Sequence, residues 1–281
     1  MSINTCSLVW TSASRSHPGL RQVNEDACLD QSEHALWAVA DGMGGHLLGD
    51  FASGLAVQSL MDLPAAEDLA HGSSDRAASE GIPSGDGLAQ GSSGLEQRVS
   101  VALGRLQEAN RLLRAEALRR DVPVIGTTIA ALLAAGSVCS CLWAGDSRIY
   151  LYRAGRLRQL TRDHSHLEAA RSRHVSRSDD TLVRPRANLI TRALGAEDTL
   201  HIDRLTLALL DGDIFLLCTD GLSNEVSELS IQQALRPGIC RLACDALVDM
   251  ALDREARDNI TAVVVRAEDL RSPNRTLLRA L

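Results

Sequence analysis

The chain has 281 residues and is 45% apolar, which is enough for one large globular domain or two small ones. It carries 29 basic and 36 acidic residues, a net charge of -7, and this balance argues against nucleic acid or an anionic membrane as the main partner. Every basic residue is arginine. The lack of lysine excludes a Walker-A P-loop, a kinase-type catalytic lysine and a Schiff-base mechanism, because each of these needs an ammonium group.

Short apolar runs rich in β-branched residues predict the strands, and an apolar period of about 3.6 residues predicts the helices. In chain order, the predicted strands are Ala35–Ala40, Thr128–Ala134, Val138–Ala144, Arg148–Arg153, Asp213–Thr219 and Ile260–Arg266. The predicted helices are Gly49–Met61, Glu96–Arg119, Ser230–Leu235 and Arg241–Ala251. Because strands and helices do not alternate strictly, this pattern predicts an α+β fold built on antiparallel sheets.

The predicted helix Glu96–Arg119 carries a stripe of apolar residues from Val99 to Leu118, and we expect its arginines on the other faces. Residues 64–95, just before this helix, are rich in Gly, Ser, Ala and Asp and nearly free of large apolar side chains. Such a segment cannot bury enough surface to offset the entropy lost on ordering it. We therefore expect residues 64–95 to form a flexible surface insertion.

The segment from Val124 to Ala144 carries no charge and has the length of a membrane span. It also contains glycine, threonine and serine and runs directly into Asp146, so two buried strands that meet near Gly136 explain it better. The N-terminus lacks the basic start and long apolar stretch of a signal peptide, and the seven cysteines show no zinc spacing. We expect a cytoplasmic protein whose thiols are reduced and pack as small apolar groups.

Aspartates stand at the ends of the predicted strands. Apolar runs stop at Asp41, Asp146 and Asp220, each beside a glycine, and Asp258 lies just ahead of the last run. Aspartate and glycine are common turn residues after strands, and for any single position that is the simpler explanation. Four such positions together predict carboxylates gathered in one cleft, where their mutual repulsion requires a cation. Mg²⁺ or Mn²⁺ is the natural occupant, because hard divalent cations prefer oxygen ligands.

Seven short motifs follow one another along the chain. They are RQVNED at residues 21–26, VADGMGGH at 39–46, GTT at 126–128, GDSR at 145–148, LTRDHS at 160–165, CTDGL at 218–222 and DNIT at 258–261. In these motifs and in their order the sequence resembles the bacterial branch of the PP2C (PPM) family of protein phosphatases. The resemblance implies a single domain over residues 1–281 with a four-layer αββα sandwich, whose two central antiparallel sheets carry the metal site at one edge. It also implies a variable, flap-like segment at residues 164–194 beside that site.

The resemblance implies two core ions, Mn²⁺ or Mg²⁺, and assigns their ligands. Asp41 is expected to bridge the two ions, and Gly42 to bind through its carbonyl oxygen. Asp220 and Asp258 match the remaining ligands of the first ion. A pair of ions lowers the pKa of a bridging water, so the implied reaction is direct attack of hydroxide on phosphorus without a covalent enzyme intermediate.

Three further acidic residues match ligands of other ions in the family. Glu25 and Asp26 correspond to the pair that holds the second ion, mainly through water. Asp146 corresponds to the ligand of a third, weaker ion found in bacterial members.

Two residues are candidates for catalysis and substrate binding. Arg21 matches the arginine that grips the substrate phosphate, with a structural counter-ion to the neighbouring acidic pair as the alternative. Met43 stands where eukaryotic relatives carry a histidine, so His46 is the nearby candidate for general acid, with a role in loop structure as the alternative. His164 and His166 have a spacing similar to that of metal ligands, and turn and packing roles are the simpler expectation for both.

The implied function is hydrolysis of phosphoserine and phosphothreonine in phosphorylated proteins, opposite a bacterial Ser/Thr kinase. The chain also resembles phosphatases encoded alongside type VI secretion systems. Two alternatives stay open: a catalytically silent regulator that binds phosphoproteins, and a metal-dependent phosphatase of small molecules. Carboxylates at every family metal position argue against the first. The second shares the same phosphate chemistry and differs only in recognition of the leaving group.

Overall fold

The structure, a computed structural model, describes residues 8–43, 48–64, 87–166, 168 and 190–269. The strands in these ranges are β1 (Leu8–His17), β2 (Asp26–Gln31), β3 (Leu36–Met43), β4 (Gly126–Thr127), β5 (Ile129–Ala135), β6 (Val138–Ala144), β7 (Arg148–Arg153), β8 (Arg156–Gln159), β9 (Asp203–Ala208), β10 (Ile214–Cys218) and β11 (Ile260–Asp269). The helices are α1 (Leu48–Leu60), α2 (Gly87–Arg120), α3 (Asp220–Ser223), α4 (Glu228–Leu235) and α5 (Cys240–Leu252), with a 3₁₀ turn at Ser32–His34.

The strands form two antiparallel sheets. One has the order β1-β11-β10-β7-β8, and the other has the order β2-β3-β5-β6-β9, with β4 paired to β3. β1 pairs with β11 over its full length, from Leu8 opposite Asp269 to His17 opposite Ile260. Each sheet therefore ends in two edge strands and keeps its most apolar strands in the middle.

Three apolar layers hold the sheets and helices together. The layer between the sheets contains Trp37, Trp143 and Phe215, along with Cys139 and Cys141 from neighbouring positions on one face of β6. A second layer joins the β2–β9 sheet to α1 and α2, and a third joins the β1–β8 sheet to α4 and α5. This arrangement confirms the predicted four-layer αββα sandwich. The buried cysteines and tryptophans are core residues, as expected from their apolar context.

The insertion predicted at residues 64–95 is wrong at its C-terminal end. Helix α2 begins at Gly87, nine residues before the predicted start at Glu96, and Leu95 is buried against the β2–β9 sheet. The low apolar content hid this first part of the helix, because a packed helix tolerates glycine and serine when its later turns are well anchored. Residues 65–86 lie outside the described residues.

The predicted faces of the same helix also need correction. Leu118, placed in the apolar stripe, is 81% exposed, whereas Arg98 is 1% exposed. The Arg98 guanidinium donates to the carbonyl oxygens of Ala134 and His34, both at 2.6 Å. This arginine therefore satisfies one carbonyl oxygen near the end of β5 and one in the 3₁₀ turn, a role that a count of apolar positions does not reveal.

The uncharged segment Val124–Ala144 consists of strands, as predicted. β5 and β6 form a hairpin in which Ala135 faces Val138, and Gly136 takes a positive φ of 56° in the turn. Among the described helices, none combines the length and apolarity that crossing a bilayer requires.

Candidate metal centre

The ends of strands from both sheets bring five aspartates to one region. Asp26 at the start of β2 lies directly opposite Asp41 near the end of β3. Asp220 follows β10 as the first residue of α3, Asp258 lies just ahead of β11, and Asp146 lies between β6 and β7. The four aspartates predicted from strand ends thus meet, and Asp26 joins them. Burial and repulsion from neighbouring carboxylates raise the pKa values of Asp26, Asp41, Asp146 and Asp220, as described below.

Two threonine hydroxyls fix the Asp26 carboxylate. Its Oδ2 accepts from Thr219 Oγ1 at 2.8 Å and from Thr261 Oγ1 at 2.7 Å. Thr219 lies at the end of β10 and Thr261 at the start of β11. The Asp26 carboxylate, which belongs to the β2–β9 sheet, is therefore held by two residues of the β1–β8 sheet. The sequence analysis quoted both threonines within motifs but assigned them no role. Thr219 directly precedes Asp220, whereas Thr261 follows Asp258 by three residues, so no common sequence signal marks the two.

Hydrogen bonds with two threonines also fix the backbone of Asp41. Its N–H donates to Thr128 Oγ1 at 2.9 Å, and its carbonyl oxygen accepts from Thr127 Oγ1 and from the Thr128 N–H, both at 2.9 Å. Thr128 Oγ1 also lies 2.7 Å from Ser147 Oγ, next to Asp146. The GTT and GDSR motifs therefore position the backbones of two of the predicted metal ligands.

Burial and mutual repulsion raise the pKa values of the clustered carboxyl groups. Burial, with repulsion from Asp220 and Asp258, raises the pKa of Asp26 to about 7 despite its two threonine bonds. Burial and repulsion from Asp220 and Asp163 raise the pKa of Asp146 to about 7. Burial and the surrounding aspartates raise the pKa of Asp41 well above its usual range. The site therefore favours neutral carboxyl groups or a cation among them.

The pKa of Asp220 depends on burial and on neighbouring residues that include Asp258, Asp41 and Asn224. Burial and repulsion from Asp258 raise the pKa of Asp220, while its hydrogen bonds with Asp41 and Asn224 oppose that rise. The Asn224 amide donates to Asp220 Oδ2 at 3.1 Å. Two carboxyl groups this close share a proton or a cation, because both cannot be ionised alone.

The Glu25 carboxylate and the Gly42 carbonyl oxygen both lie close to Gly49, at the start of α1. A Cβ added to Gly49 would lie 2.6 Å from Glu25 Oε1 and 2.9 Å from the Gly42 carbonyl oxygen. The Gly42 N–H donates to the Glu25 carbonyl oxygen at 3.1 Å. Two of the predicted oxygen ligands thus lie close together, and only a glycine at position 49 leaves them room. The sequence analysis did not single out Gly49.

Arg21 lies beside Asp258. Its Nη2 donates to Asp258 Oδ2 at 3.0 Å, and its Nε donates to the Arg257 carbonyl oxygen at 3.2 Å. Both side chains remain about half exposed, at 55% for Arg21 and 46% for Asp258. The guanidinium therefore reaches the carboxylate cluster from the solvent side.

Of the predicted histidines, His164 is a packing residue. Its Nδ1 accepts from the Gly145 N–H at 3.1 Å, its Nε2 lies 3.1 Å from Asp203 Oδ2, and its ring stacks on Trp143. These contacts agree with the expected turn and packing role of His164. His166 is exposed. His46 lies outside the described residues, as do most of residues 164–194.

The donor chemistry fits a divalent cation. In the described ranges, the buried Oδ1 atoms of Asp26, Asp146 and Asp220 have no hydrogen-bond partner. Orphaned buried carboxylate oxygens are costly without a cation. Within those same ranges, no group of three or more His, Cys, Asp or Glu side chains is arranged so that it could hold a metal ion as it stands. The carboxylates lie in one region, and binding an ion requires some of their side chains to move. One such movement would break the bond between Arg21 and Asp258.

An αββα sandwich with a carboxylate cluster where both its sheets end is the framework of a divalent-metal protein. The family model of protein phosphatase 2C matches residues 13–255. The chain belongs to the PP2C family.

Similar solved structures share this framework. PppA, described as a key regulatory component of T6SS in Pseudomonas aeruginosa, is 40% identical with a TM-score of 0.78, covering 94% of this chain and 100% of that one. The catalytic domain of the serine threonine protein phosphatase PstP, in complex with two manganese ions, is 31% identical with a TM-score of 0.73, again over 94% and 100%. Serine/threonine protein phosphatase PstP of Mycobacterium tuberculosis is 33% identical over 93% of this chain, which spans only 46% of that relative's length.

Proposed function

We propose that the chain is a metal-dependent protein phosphatase that hydrolyses phosphoserine and phosphothreonine. The observation that carries the proposal is the cluster of buried aspartates, in which Oδ1 of Asp26, Asp146 and Asp220 has no hydrogen-bond partner among the residues that the structure describes. The PP2C family membership and the manganese ions of the PstP structure support it.

The ligands proposed for the metal ions come from both sheets. The first ion is assigned to Asp41, Gly42, Asp220 and Asp258, and the second to Asp41 with Glu25 and Asp26. Asp146 is assigned to a third, weaker ion. Bound Mn²⁺ or Mg²⁺ would neutralise the charge of these carboxylates. It would also lower the pKa of a bound water, so that hydroxide is available at neutral pH. The threonines bonded to Asp26 and Asp41 keep those carboxylates oriented, which reduces the reorganisation needed during reaction.

Arg21 supplies the positive charge for the substrate. Its guanidinium lies at the solvent side of the cluster and is bound there to one exposed carboxylate oxygen of Asp258. A planar guanidinium can bond two phosphoryl oxygens at once, which orients the phosphate and neutralises charge that develops on it. The general acid is left to His46 or to a water.

The test is release of phosphate from phosphoserine and phosphothreonine peptides in Mn²⁺, compared with nucleotides and sugar phosphates under the same conditions. Hydrolysis of the peptides that is lost with a chelator and in Asp41→Asn supports the proposal. Faster hydrolysis of a nucleotide or sugar phosphate would make the chain a small-molecule phosphatase. Binding of a phosphopeptide without hydrolysis in any divalent metal would make it a phosphoprotein-binding regulator.

The biological setting follows from this activity and from the relatives. Phosphorylated proteins are the proposed substrates, and a Ser/Thr kinase that phosphorylates them is the proposed opposing enzyme, in the cytoplasm. The similarity to PppA supports a role beside a type VI secretion system. Kinase and phosphatase genes next to secretion genes, with altered secretion when this gene is deleted, would support that role.

A further inference from the structure

We infer that Asn259 is a positioning residue, whose single buried amide, next to Asp258, sets Arg21 and Glu25 in place. The inference rests on the proposed function for the roles of those three residues. Asn259 follows Asp258 directly and is 5% exposed. The geometry that supports the inference stands whether or not the protein hydrolyses phosphopeptides.

The Asn259 side chain closes the loop that precedes β2. Its Nδ2 donates to the carbonyl oxygens of Pro18 at 2.9 Å and Val23 at 3.0 Å. Its Oδ1 accepts from the Glu25 N–H at 2.8 Å. One amide thereby binds the beginning, the middle and the end of the loop at residues 18–25.

The Pro18 bond controls Arg21. The Pro18 carbonyl oxygen also accepts from the Arg21 N–H at 3.1 Å, so the Asn259 amide and the arginine backbone meet at one atom. Between them, Gly19 takes a positive φ of 61° and packs so closely that a Cβ there would lie 2.1 Å from the Asp258 carbonyl oxygen. The turn that carries Arg21 is therefore seated directly on the Asp258 backbone.

The Glu25 bond controls the other end of the loop. The Glu25 carbonyl oxygen accepts from the Gly42 N–H, and its carboxylate lies near the Gly42 carbonyl oxygen across Gly49. Releasing the Glu25 N–H from Asn259 frees the residue just before β2. A loosened Glu25 weakens the second metal position, and a loosened Arg21 weakens the phosphate position.

The chain offers a matched control in Asn110 on α2. This asparagine is also buried, and its amide makes the same set of bonds: it donates to the carbonyl oxygens of Glu197 and Asp198 and accepts from the Gly195 N–H at 2.6 Å. Asn110→Ser removes an equivalent amide from a loop that carries none of the proposed ligands. It therefore reports the general effect of losing a buried amide.

The first experiment needs no activity. Residue-resolved amide hydrogen exchange is measured on the metal-free protein for wild type, Asn259→Ser and Asn110→Ser, and Mn²⁺ affinity is measured by calorimetry. Asn259→Ser should lose protection at the Arg21 and Glu25 amides and bind Mn²⁺ about tenfold more weakly, because the buried groups lose their hydrogen-bond partner. Asn110→Ser should keep the protection of both amides and the wild-type Mn²⁺ affinity.

The second experiment is a kinetic cycle with saturating Mn²⁺ and a phosphopeptide. Asn259→Ser and Arg21→Ala should each raise KM more than they lower kcat. The double variant should be no worse than Arg21→Ala alone, because Asn259 acts on KM only through that arginine. Asn259→Asp keeps the acceptor for the Glu25 N–H but loses both donors, so it should retain Glu25 protection and still raise KM.

The outcomes separate the inference from the proposed function. Unchanged exchange at Arg21 and Glu25 in Asn259→Ser, or equal loss of Mn²⁺ affinity in Asn110→Ser, would overturn the positioning role. Additive effects on KM in the double variant would also overturn it. A wild-type protein without phosphatase activity would refute the proposed function, while the exchange and calorimetry results would still decide the role of Asn259. If Asn259→Ser does not fold, the Asn259→Asp comparison decides it.

Discussion

Replacing Asp26 with asparagine should stabilise the metal-free protein at alkaline pH. In the folded protein, Oδ2 accepts two threonine hydroxyls and Oδ1 is buried without a partner within the described ranges. An asparagine fits this asymmetry, because its carbonyl oxygen can accept both hydroxyls while its NH₂ takes the other position, facing carboxylates. The substitution removes one buried negative charge and keeps the two existing bonds.

The magnitude follows from the pKa of Asp26, which rises from 3.8 to about 7 on folding, mainly through burial. A rise of this size corresponds to about 4 kcal/mol, at about 1.4 kcal/mol for each pKa unit. For an acid whose folded pKa is raised, the cost of folding is absent below the unfolded value near 3.8 and complete above the folded value near 7. Asp26→Asn should therefore gain on the order of 3–4 kcal/mol at about pH 8 and almost nothing at about pH 4.

The assay is urea denaturation of chelator-treated wild type and Asp26→Asn at several pH values. Asp253→Asn, which changes an exposed aspartate after α5, is the control and should show no such pH-dependent gain. Adding Mn²⁺ should stabilise wild type more than Asp26→Asn, because the metal relieves the same repulsion. A metal-free Asp26→Asn protein that is less stable than wild type at about pH 8, or a gain that does not shrink as the pH falls, would refute the reasoning.

Three other substitutions test the site. Asp41→Asn keeps the size of the side chain but removes its charge, and it should lower phosphopeptide hydrolysis in Mn²⁺ at least about a hundredfold, a barrier increase of about 3 kcal/mol; a wild-type rate would remove Asp41 from the metal site. Asp146→Ala should fold and keep the core ions while turning over poorly, and calorimetry that finds wild-type metal stoichiometry would count against a third ion. Arg21→Lys should keep its metal affinity and Tm but lose about tenfold in kcat/KM, since an ammonium cannot make two parallel bonds to phosphate; near-wild-type kinetics would make Arg21 a counter-ion.

The central strands could be predicted from sequence, and the edge strands could not. β5 and β6 are buried along almost their whole length, so a continuous apolar run identifies them. The strands that escaped prediction are β1, β2, β8 and β9, which are the edge strands of the two sheets, and the two-residue β4, which pairs with β3 outside the main strand order. In β9 half-buried and exposed residues alternate, and such a strand depends on its neighbour more than on its own composition.

In the site, the charged residues could be predicted from the sequence, and the residues that orient them could not. Strand-end aspartates stand out in a sequence because a carboxylate beside an apolar run needs a reason, so Asp41, Asp220 and Asp258 could be proposed together. The groups that orient them could not, because Thr261, Gly49 and similar residues are unremarkable in composition. Their contribution exists only when β10, β11 and the start of α1 lie side by side.

The position of Arg21 bears on the two roles that the sequence left open for this residue. The sequence offered two alternatives, a counter-ion to nearby acids or a clamp for phosphate. The bond to Asp258 is one that a counter-ion would make, but both partners are about half exposed, and ion pairs with that exposure contribute about 0–1 kcal/mol. So weak a bond is easily exchanged for two bonds to a dianionic phosphate. The two roles are therefore compatible in one residue, provided that the turn beneath it holds the guanidinium at the edge of the cluster.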